Sequence, residues 1–194
     1  MLSGPAGRRI VIVSGPPAAG KSTIAGPLAA ELGFALIAKD RIKETLHDAL
    51  GLGADLDLGW SRRLGAAAME LLWALAADAP AVVLEANFWP GDERHEARVR
   101  ALGVIPVEVH CQCPVDECMR RYAERTASRH PVHIDSARNA AEGFARSARP
   151  TGLGPVIIVD TTRPVDVKAV AAQVLALLRA GQPEVSHGGE PVSA

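Results

Sequence analysis

The chain carries almost no excess of charge: 21 Lys and Arg against 22 Asp and Glu leave a formal net charge of -1 over 194 residues. A dedicated nucleic-acid binder draws its affinity from neutralising phosphates, so this balance argues against one. It argues equally against an acidic, solvated, disordered chain. Long hydrophobic runs are missing too, since no apolar stretch approaches the roughly 20 residues of a membrane span. Met1 to Arg9 is polar, with Gly4, Pro5 and Gly7, and Ile10 to Val13 is too brief for a signal-peptide core. The expectation is a cytoplasmic protein without a membrane partner. Cysteine is scarce as well: Cys111, Cys113 and Cys118, an odd number that suits reduced thiols in the cytosol. His110 adjoins them, but there is no CxxC pair and no second ligand pair. On a strand, Cys111 and Cys113 would point away from His110. Core thiols are expected rather than zinc ligands.

What the chain does have is apolar residues, 48% of it, enough for a substantial core. Its length suits one domain, read here as residues 1–180, with an aperiodic Gly/Pro/Ser-rich tail over 181–194. Arg9 to Ser14 (RIVIVS) is a β-branched run of the kind buried on both faces of a parallel sheet. Lys21 to Leu32 reads as a helix ended by Gly33, with Pro27 awkward inside it. Phe34 to Ala38 reads as a second strand with Lys39 and Asp40 at its carboxyl end. Arg41 to Leu50 reads as a short helix, Gly51 to Gly59 as a loop and Ser61 to Ala77 as a long helix. Strands are expected at Ala81 to Glu85, Val104 to Cys111 and Pro155 to Asp160. Helices are expected at Asp92 to Leu102, Val115 to Ser128, Ser136 to Arg146 and Pro164 to Ala180. Alternating strands and helices imply a parallel sheet covered on both sides, with ligands at the carboxyl ends of its strands.

One motif carries specific chemistry. Gly15-Pro16-Pro17-Ala18-Ala19-Gly20-Lys21-Ser22 follows the first strand and opens the first helix. A triphosphate needs many donors and little steric bulk. Gly15 and Gly20 let the backbone curl, so that successive N–H groups around Pro17, Ala18 and Ala19 point inward. Lys21 reaches the β- and γ-phosphate oxygens, the Ser22 hydroxyl ligates Mg²⁺, and Thr23 stands near the α-phosphate. ATP with Mg²⁺ is therefore the expected ligand.

The other candidates gather by position. Asp40, followed by Arg41, ends the second strand. It is read as a general base or orienter of an acceptor hydroxyl, with a helix cap as the structural alternative. Glu85 ends the third strand, where a Mg²⁺-linked carboxylate is common. Asn87, Phe88 and Trp89 after it read as a substrate wall or as a packed Trp-Pro-Gly turn. Seven arginines fall between Arg120 and Arg149. Arg121, Arg125 and Arg129 recur every four residues, as on one helical face, and guanidinium groups stabilise a transferring phosphoryl group. Interleaved Glu117 and Glu124 make a solvated, salt-bridged helix the alternative. His130 and His133 bracket Pro131 and read as substrate contacts, a lid gate or a surface loop. His110 reads as structural. Thr162, in the loop after the last strand, would border the adenine or cap the last helix.

The loop GPPAAGKST, the Lys39-Asp40-Arg41 turn, the Cys113-Pro114 start of an Arg-bearing helix and Asp160-Thr161-Thr162 together resemble the small P-loop kinases over residues 8–180. The nearest branch is the chloramphenicol phosphotransferase-like, zeta-toxin-like and polynucleotide-kinase-like group, with shikimate and gluconate kinases more distant. The resemblance implies a three-layer α/β P-loop NTPase fold. Its five-stranded parallel sheet would have the order 2-3-1-4-5, with helices on both faces and a helical lid within about 115–150. It implies that Asp40 takes the place of the acid that activates the acceptor hydroxyl, and that Arg125 falls in the lid. Acceptors of such enzymes include antibiotics, sugars, nucleotide sugars and polynucleotide 5′ ends. The segments Glu85 to Trp89 and Arg129 to His133 depart from the pattern. The expected activity is an ATP-dependent transfer of the γ-phosphoryl group to a small-molecule hydroxyl. A polynucleotide 5′-kinase and a non-kinase NTPase or nucleotide sensor are the competing readings.

Overall fold

Every residue of the first strand after Arg9 is buried, because the strand sits in the middle of a sheet with helices on both sides. The computed structural model of the chain describes residues 7–50, 57–126, 128–134 and 143–180. The first half runs β1 Arg9–Ser14, α1 Lys21–Leu32, β2 Ala35–Ala38, α2 Lys39–Leu50, α3 Leu58–Asp78 and β3 Ala81–Glu85. The second half runs α4 Glu93–Leu102, β4 Val107–Gln112, α5 Val115–Thr126, β5 Val156–Asp160 and α6 Val167–Ala180. The five strands form one parallel sheet in the order β2-β3-β1-β4-β5. This is the P-loop NTPase-like kinase fold, with the expected strand order.

Strand alternation divides the core in two. Val11 and Val13 pack with Ile24 and Leu28 of α1 and with Val170, Val174 and Leu178 of α6. Ile10 and Ile12 face the other way, onto Leu72 and Trp73 of α3 and Val99 and Leu102 of α4. Each such side chain, fully buried, is worth about 1.5–3 kcal/mol. Cys111, Cys113 and Cys118 are buried in the first of these clusters. Burial pushes the Cys111 thiol up to about 12, so it behaves as a small core hydrophobe.

Several element ends differ from the sequence reading, each for a local reason. β4 starts at Val107 rather than Val104, because Pro106 has no N–H for the ladder. β2 begins one residue later than expected, at Ala35, and α2 starts at Lys39 with no intervening loop. Asp40 therefore lies in the first helical turn. α3 begins at Leu58, three residues early, because the Asp57 carboxylate caps it by accepting from Trp60 N at 2.6 Å. α6 begins at Val167, and Asp166 accepts from Ala169 N at 3.1 Å. α5 stops at Thr126. Residues 143–146 form a helical turn, while 136–142 of the helix expected there lie outside the described residues. So do residues 51–56 of the expected loop and the expected tail, 181–194. Among the described residues, no helix is long and apolar enough to cross a membrane.

Candidate functional site

The carboxyl ends of β1, β2 and β3 bring three chain segments to one edge of the sheet. After β1 the backbone turns at Gly15, whose φ of 130° is open to glycine alone. A Cβ there would stand 2.5 Å from the Cys111 carbonyl oxygen, so glycine also permits the loop to press against β4. Ala18 has a left-handed φ of 60°, and Gly20, at φ 83°, caps α1 without a side-chain hydrogen bond. The first N–H groups of α1 are thus unclaimed by a capping side chain. Helix polarity makes that end attractive to an anion.

Lys21 is buried and donates to the Gly15 carbonyl at 2.9 Å and the Pro16 carbonyl at 2.7 Å, which holds its ammonium across the mouth of the loop. Burial lowers its pKa, and the nearby Glu85 carboxylate opposes the shift. Glu85 is itself buried at the end of β3. Burial raises its pKa, while Lys21 and the hydrogen bond from Ser22 pull it down. Ser22 Oγ donates to Glu85 Oε1 at 3.1 Å. A hydroxyl and a carboxylate oxygen this close, beside a cationic nest, are the hard donors that Mg²⁺ takes alongside phosphate oxygens. The residues present fit a nucleotide phosphate chain with its Mg²⁺.

Asp40 faces this cradle from the first turn of α2. Its carboxylate is 44% exposed and meets Lys39 Nζ at 3.2 Å and Arg129 Nη2 at 3.8 Å. Burial raises its pKa, but Lys39, His133 and Arg129 outweigh that and hold it down at about 2. One helical face continues from it as Glu44 and Asp48, and the loop after α5 follows that face. His133 Nε2 is 2.8 Å from Glu44 Oε1, and His130 Nε2 is 3.1 Å from Asp48 Oδ1. Ser61 Oγ of α3 donates to the Val132 carbonyl at 2.6 Å and accepts from Lys43 Nζ at 2.8 Å, fixing the loop from behind.

A cleft of about 770 Å³ lies between these parts. Of the residues singled out from the sequence, Pro17, Ala18, Gly20, Lys21, Ser22 and Thr23 line its phosphate end. Glu85 lines it beside Ser22, and Asp40, Arg41 and Asn87 line it too, with Arg125, Arg129 and His133 from the α5 side. Gly15 and Ala19 form the loop behind that lining. The remaining candidates stand elsewhere. Phe88 is buried at 1% exposure against Trp73 and His95, so it belongs to the core and not to a substrate wall. Trp89 lines a separate, adjoining cavity. Arg121 donates to Glu117 Oε1 at 2.6 Å and to the Thr161 carbonyl at 3.1 Å, bracing the loop after β5. That loop passes close to Gly20, where an added Cβ would meet Thr161 at 3.6 Å. Thr162 is exposed and hydrogen-bonds Asp160. Arg129 lies beyond the end of α5 and does not share a helical face with Arg121 and Arg125. His110 is buried, with Nδ1 2.9 Å from Ser14 Oγ, a structural contact.

The sequence reading missed Glu44, Tyr122 and Ser128, which also line the cleft. Glu44 was within reach of the four-residue spacing from Asp40. It also missed the role of Arg146, whose guanidinium lies 4.1 Å over the Trp89 ring.

Residues 10–150 match the AAA domain family, and the chain belongs to that family. No protein of curated function matches it. Among solved structures, it is similar to a presumed kinase from Chloroflexus aurantiacus, with 31% identity and a TM-score of 0.76, covering 88% of this chain and 98% of that one. A sugar kinase from a Janibacter species is 20% identical with a TM-score of 0.56, covering 91% and 99% of the two chains. A gluconokinase from Sinorhizobium meliloti is 19% identical with a TM-score of 0.55, covering 91% and 94%. The last two likenesses speak to the fold alone.

Proposed function

We propose that the chain is a cytoplasmic ATP-dependent kinase that moves the γ-phosphoryl group of ATP to a hydroxyl of a small molecule. The observation that carries this reading is the position of Asp40, on the same cleft as Lys21, Ser22 and Glu85. A nucleotide sensor has no need of a second carboxylate on this cleft, and a hydrolase that used Asp40 to orient water would release ADP without any acceptor, which the test below distinguishes. The net charge of -1 disfavours a polynucleotide acceptor.

In this reading the P-loop N–H groups and Lys21 bind the β- and γ-phosphates, and Ser22 with Glu85 would hold Mg²⁺, which would neutralise phosphate charge. Asp40 accepts a hydrogen bond from the acceptor hydroxyl and aims its oxygen at the γ-phosphorus. The new O–P bond forms as the bond between the γ-phosphorus and the β,γ-bridging oxygen breaks. ADP leaves, and the hydroxyl proton, lost only late in the transfer, is relayed by way of Asp40 to solvent. Arg125 and Arg129, in a lid formed by residues of 115–150, offset the charge of the transferring group. Most of the acceleration comes from positioning and electrostatics.

The test is a paired substitution. Lys21→Ala removes both transfer and tight ATP binding. Asp40→Asn lowers kcat by about 10²–10⁴-fold while the Kd for a non-hydrolysable ATP analogue, read by calorimetry, stays within about twofold. Wild-type-like turnover by Asp40→Asn removes its role, and acceptor-independent ADP release at full rate removes the kinase reading.

A further inference from the structure

Glu108, on β4, has no exposed surface and does not line the phosphate cleft. Its carboxylate accepts from Thr151 N at 2.9 Å, from Thr151 Oγ1 at 2.7 Å and from Gly152 N at 3.3 Å. Those three donors secure the segment before β5. A fourth comes from β1: Ser14 Oγ is 2.5 Å from Glu108 Oε1. Ser14 has one hydroxyl proton, and the carboxylate takes it. His110 Nδ1, 2.9 Å from the same hydroxyl oxygen, is then the donor of that pair. Ser14 is itself only 1% exposed. Two buried side chains of β4 thus hold its hydroxyl on both sides, and a satisfied buried network of this kind is rigid.

Ser14 is the last residue of β1, and the phosphate loop starts at the next one. The ladder between β1 and β3 ends a residue earlier, at Val13 and Glu85, so β4 alone pairs with Ser14. Gly15 follows with no side chain to restrain it, at a φ of 130°. Pro16 and Pro17 come next, with φ fixed by their rings. The direction of the Gly15 and Pro16 carbonyls therefore depends on how Ser14 is anchored. These are the two carbonyls that receive the Lys21 ammonium, at 2.9 and 2.7 Å. Thr151 shares the Glu108 carboxylate with Ser14 but does not line the cleft.

We propose that Ser14 is a positioning residue for nucleotide binding. Held by Glu108 and His110, it sets the two carbonyls that place the Lys21 ammonium before the phosphates. The inference rests on the nucleotide-binding part of the kinase reading and on nothing about the acceptor.

The test measures binding of a non-hydrolysable ATP analogue with Mg²⁺ by calorimetry, and stability by urea unfolding. Ser14→Ala and Thr151→Val each remove one hydroxyl donor from Glu108, so both lower the urea midpoint. Ser14→Ala weakens the analogue about tenfold, while Thr151→Val leaves its Kd within about twofold. A merely structural contact would lower affinity in step with stability in both. A second pair reads the link from its other end and decides where Ser14→Ala does not fold. His110→Asn keeps an N–H at the place of Nδ1 and keeps the affinity, whereas His110→Leu has no donor and loses it as Ser14→Ala does. Wild-type affinity in Ser14→Ala, equal losses in Ser14→Ala and Thr151→Val, or equal losses in the two His110 variants overturns the inference. A wild-type protein that does not bind the analogue at all sinks the nucleotide reading instead.

Discussion

Gly15→Ala tests the packing that shapes the phosphate loop. Two costs add at this position. An alanine at φ 130° occupies a backbone region that L side chains rarely enter, at about 1–3 kcal/mol. Its Cβ would stand 2.5 Å from the Cys111 carbonyl oxygen and 3.1 Å from the Cys111 Cβ. The obstacle is the backbone of a central strand, which cannot rotate aside, and such overpacking costs a further 1–3 kcal/mol or so. The sum, about 2–6 kcal/mol, is a large part of the roughly 5–15 kcal/mol that holds a domain together. With a urea slope of about 2 kcal/mol per M, the midpoint falls by about 1–3 M. Gly33→Ala is the control. Its φ of 66° is also left-handed, but nothing lies within 4 Å of the added Cβ, so only the backbone term of about 1–2 kcal/mol remains. Urea unfolding followed by far-UV circular dichroism gives both midpoints, and calorimetry gives the affinity for an ATP analogue, which falls in Gly15→Ala alone. Equal midpoint shifts in the two variants refute the claim that contact with β4, rather than backbone conformation, makes glycine necessary here.

Glu108→Gln removes a buried carboxylate that ties β1 to the loop before β5. Glu108 is 0% exposed and accepts from Ser14 Oγ, from Thr151 through N and Oγ1, and from Gly152 N, so an amide N–H₂ among those donors costs about 3–5 kcal/mol in urea unfolding. Asp40 gives a pH prediction: its folded pKa is depressed to about 2, so its contribution to stability is complete above the usual carboxylate value of 3.8 and is lost as pH falls through about 2. At 44% exposure that contribution is at most about 1 kcal/mol, so wild type and Asp40→Asn differ slightly in urea midpoint at pH 7 and converge towards pH 2. The same depression leaves the pH profile of kcat/KM without a carboxylate limb from Asp40 between about pH 5 and 8, and a limb there that moves in Asp40→Glu contradicts its low pKa.

The parts of this fold that were legible in the sequence are those whose signal is local. β1 is buried on both faces, so its side chains read as an unbroken apolar run, and the glycines and Lys21 that follow are spaced by the needs of a phosphate. The parts that were not legible depend on distant partners. Phe88 follows a strand end in the same string as Asn87 and Trp89, yet it turns into the core because Trp73 of α3 and His95 of α4 make room for it there. Nothing within a few residues of Phe88 records that. The acidic row Asp40, Glu44 and Asp48 could be seen at helical spacing, but its partners Arg129, His133 and His130 lie more than 80 positions along the chain. The element ends that shifted did so on single side chains, such as the Asp57 cap and Pro106.

That acidic row also bears on how the site would work. A carboxylate beside the Lys39 and Arg129 cations is a poor proton acceptor, because those charges stabilise its ionised form. A loose phosphoryl-transfer transition state makes little demand for one, since the attacking hydroxyl loses its proton late. What the reaction needs is a fixed hydrogen-bond acceptor that stays ionised and does not swing away. The pairs that lower the pKa of Asp40 are the pairs that hold it still, and Arg129 joins it to the loop that carries His133. Basicity and fixation cannot both be maximised at one carboxylate surrounded by cations. This arrangement gives up basicity for fixation, which is the better exchange when positioning carries most of the rate.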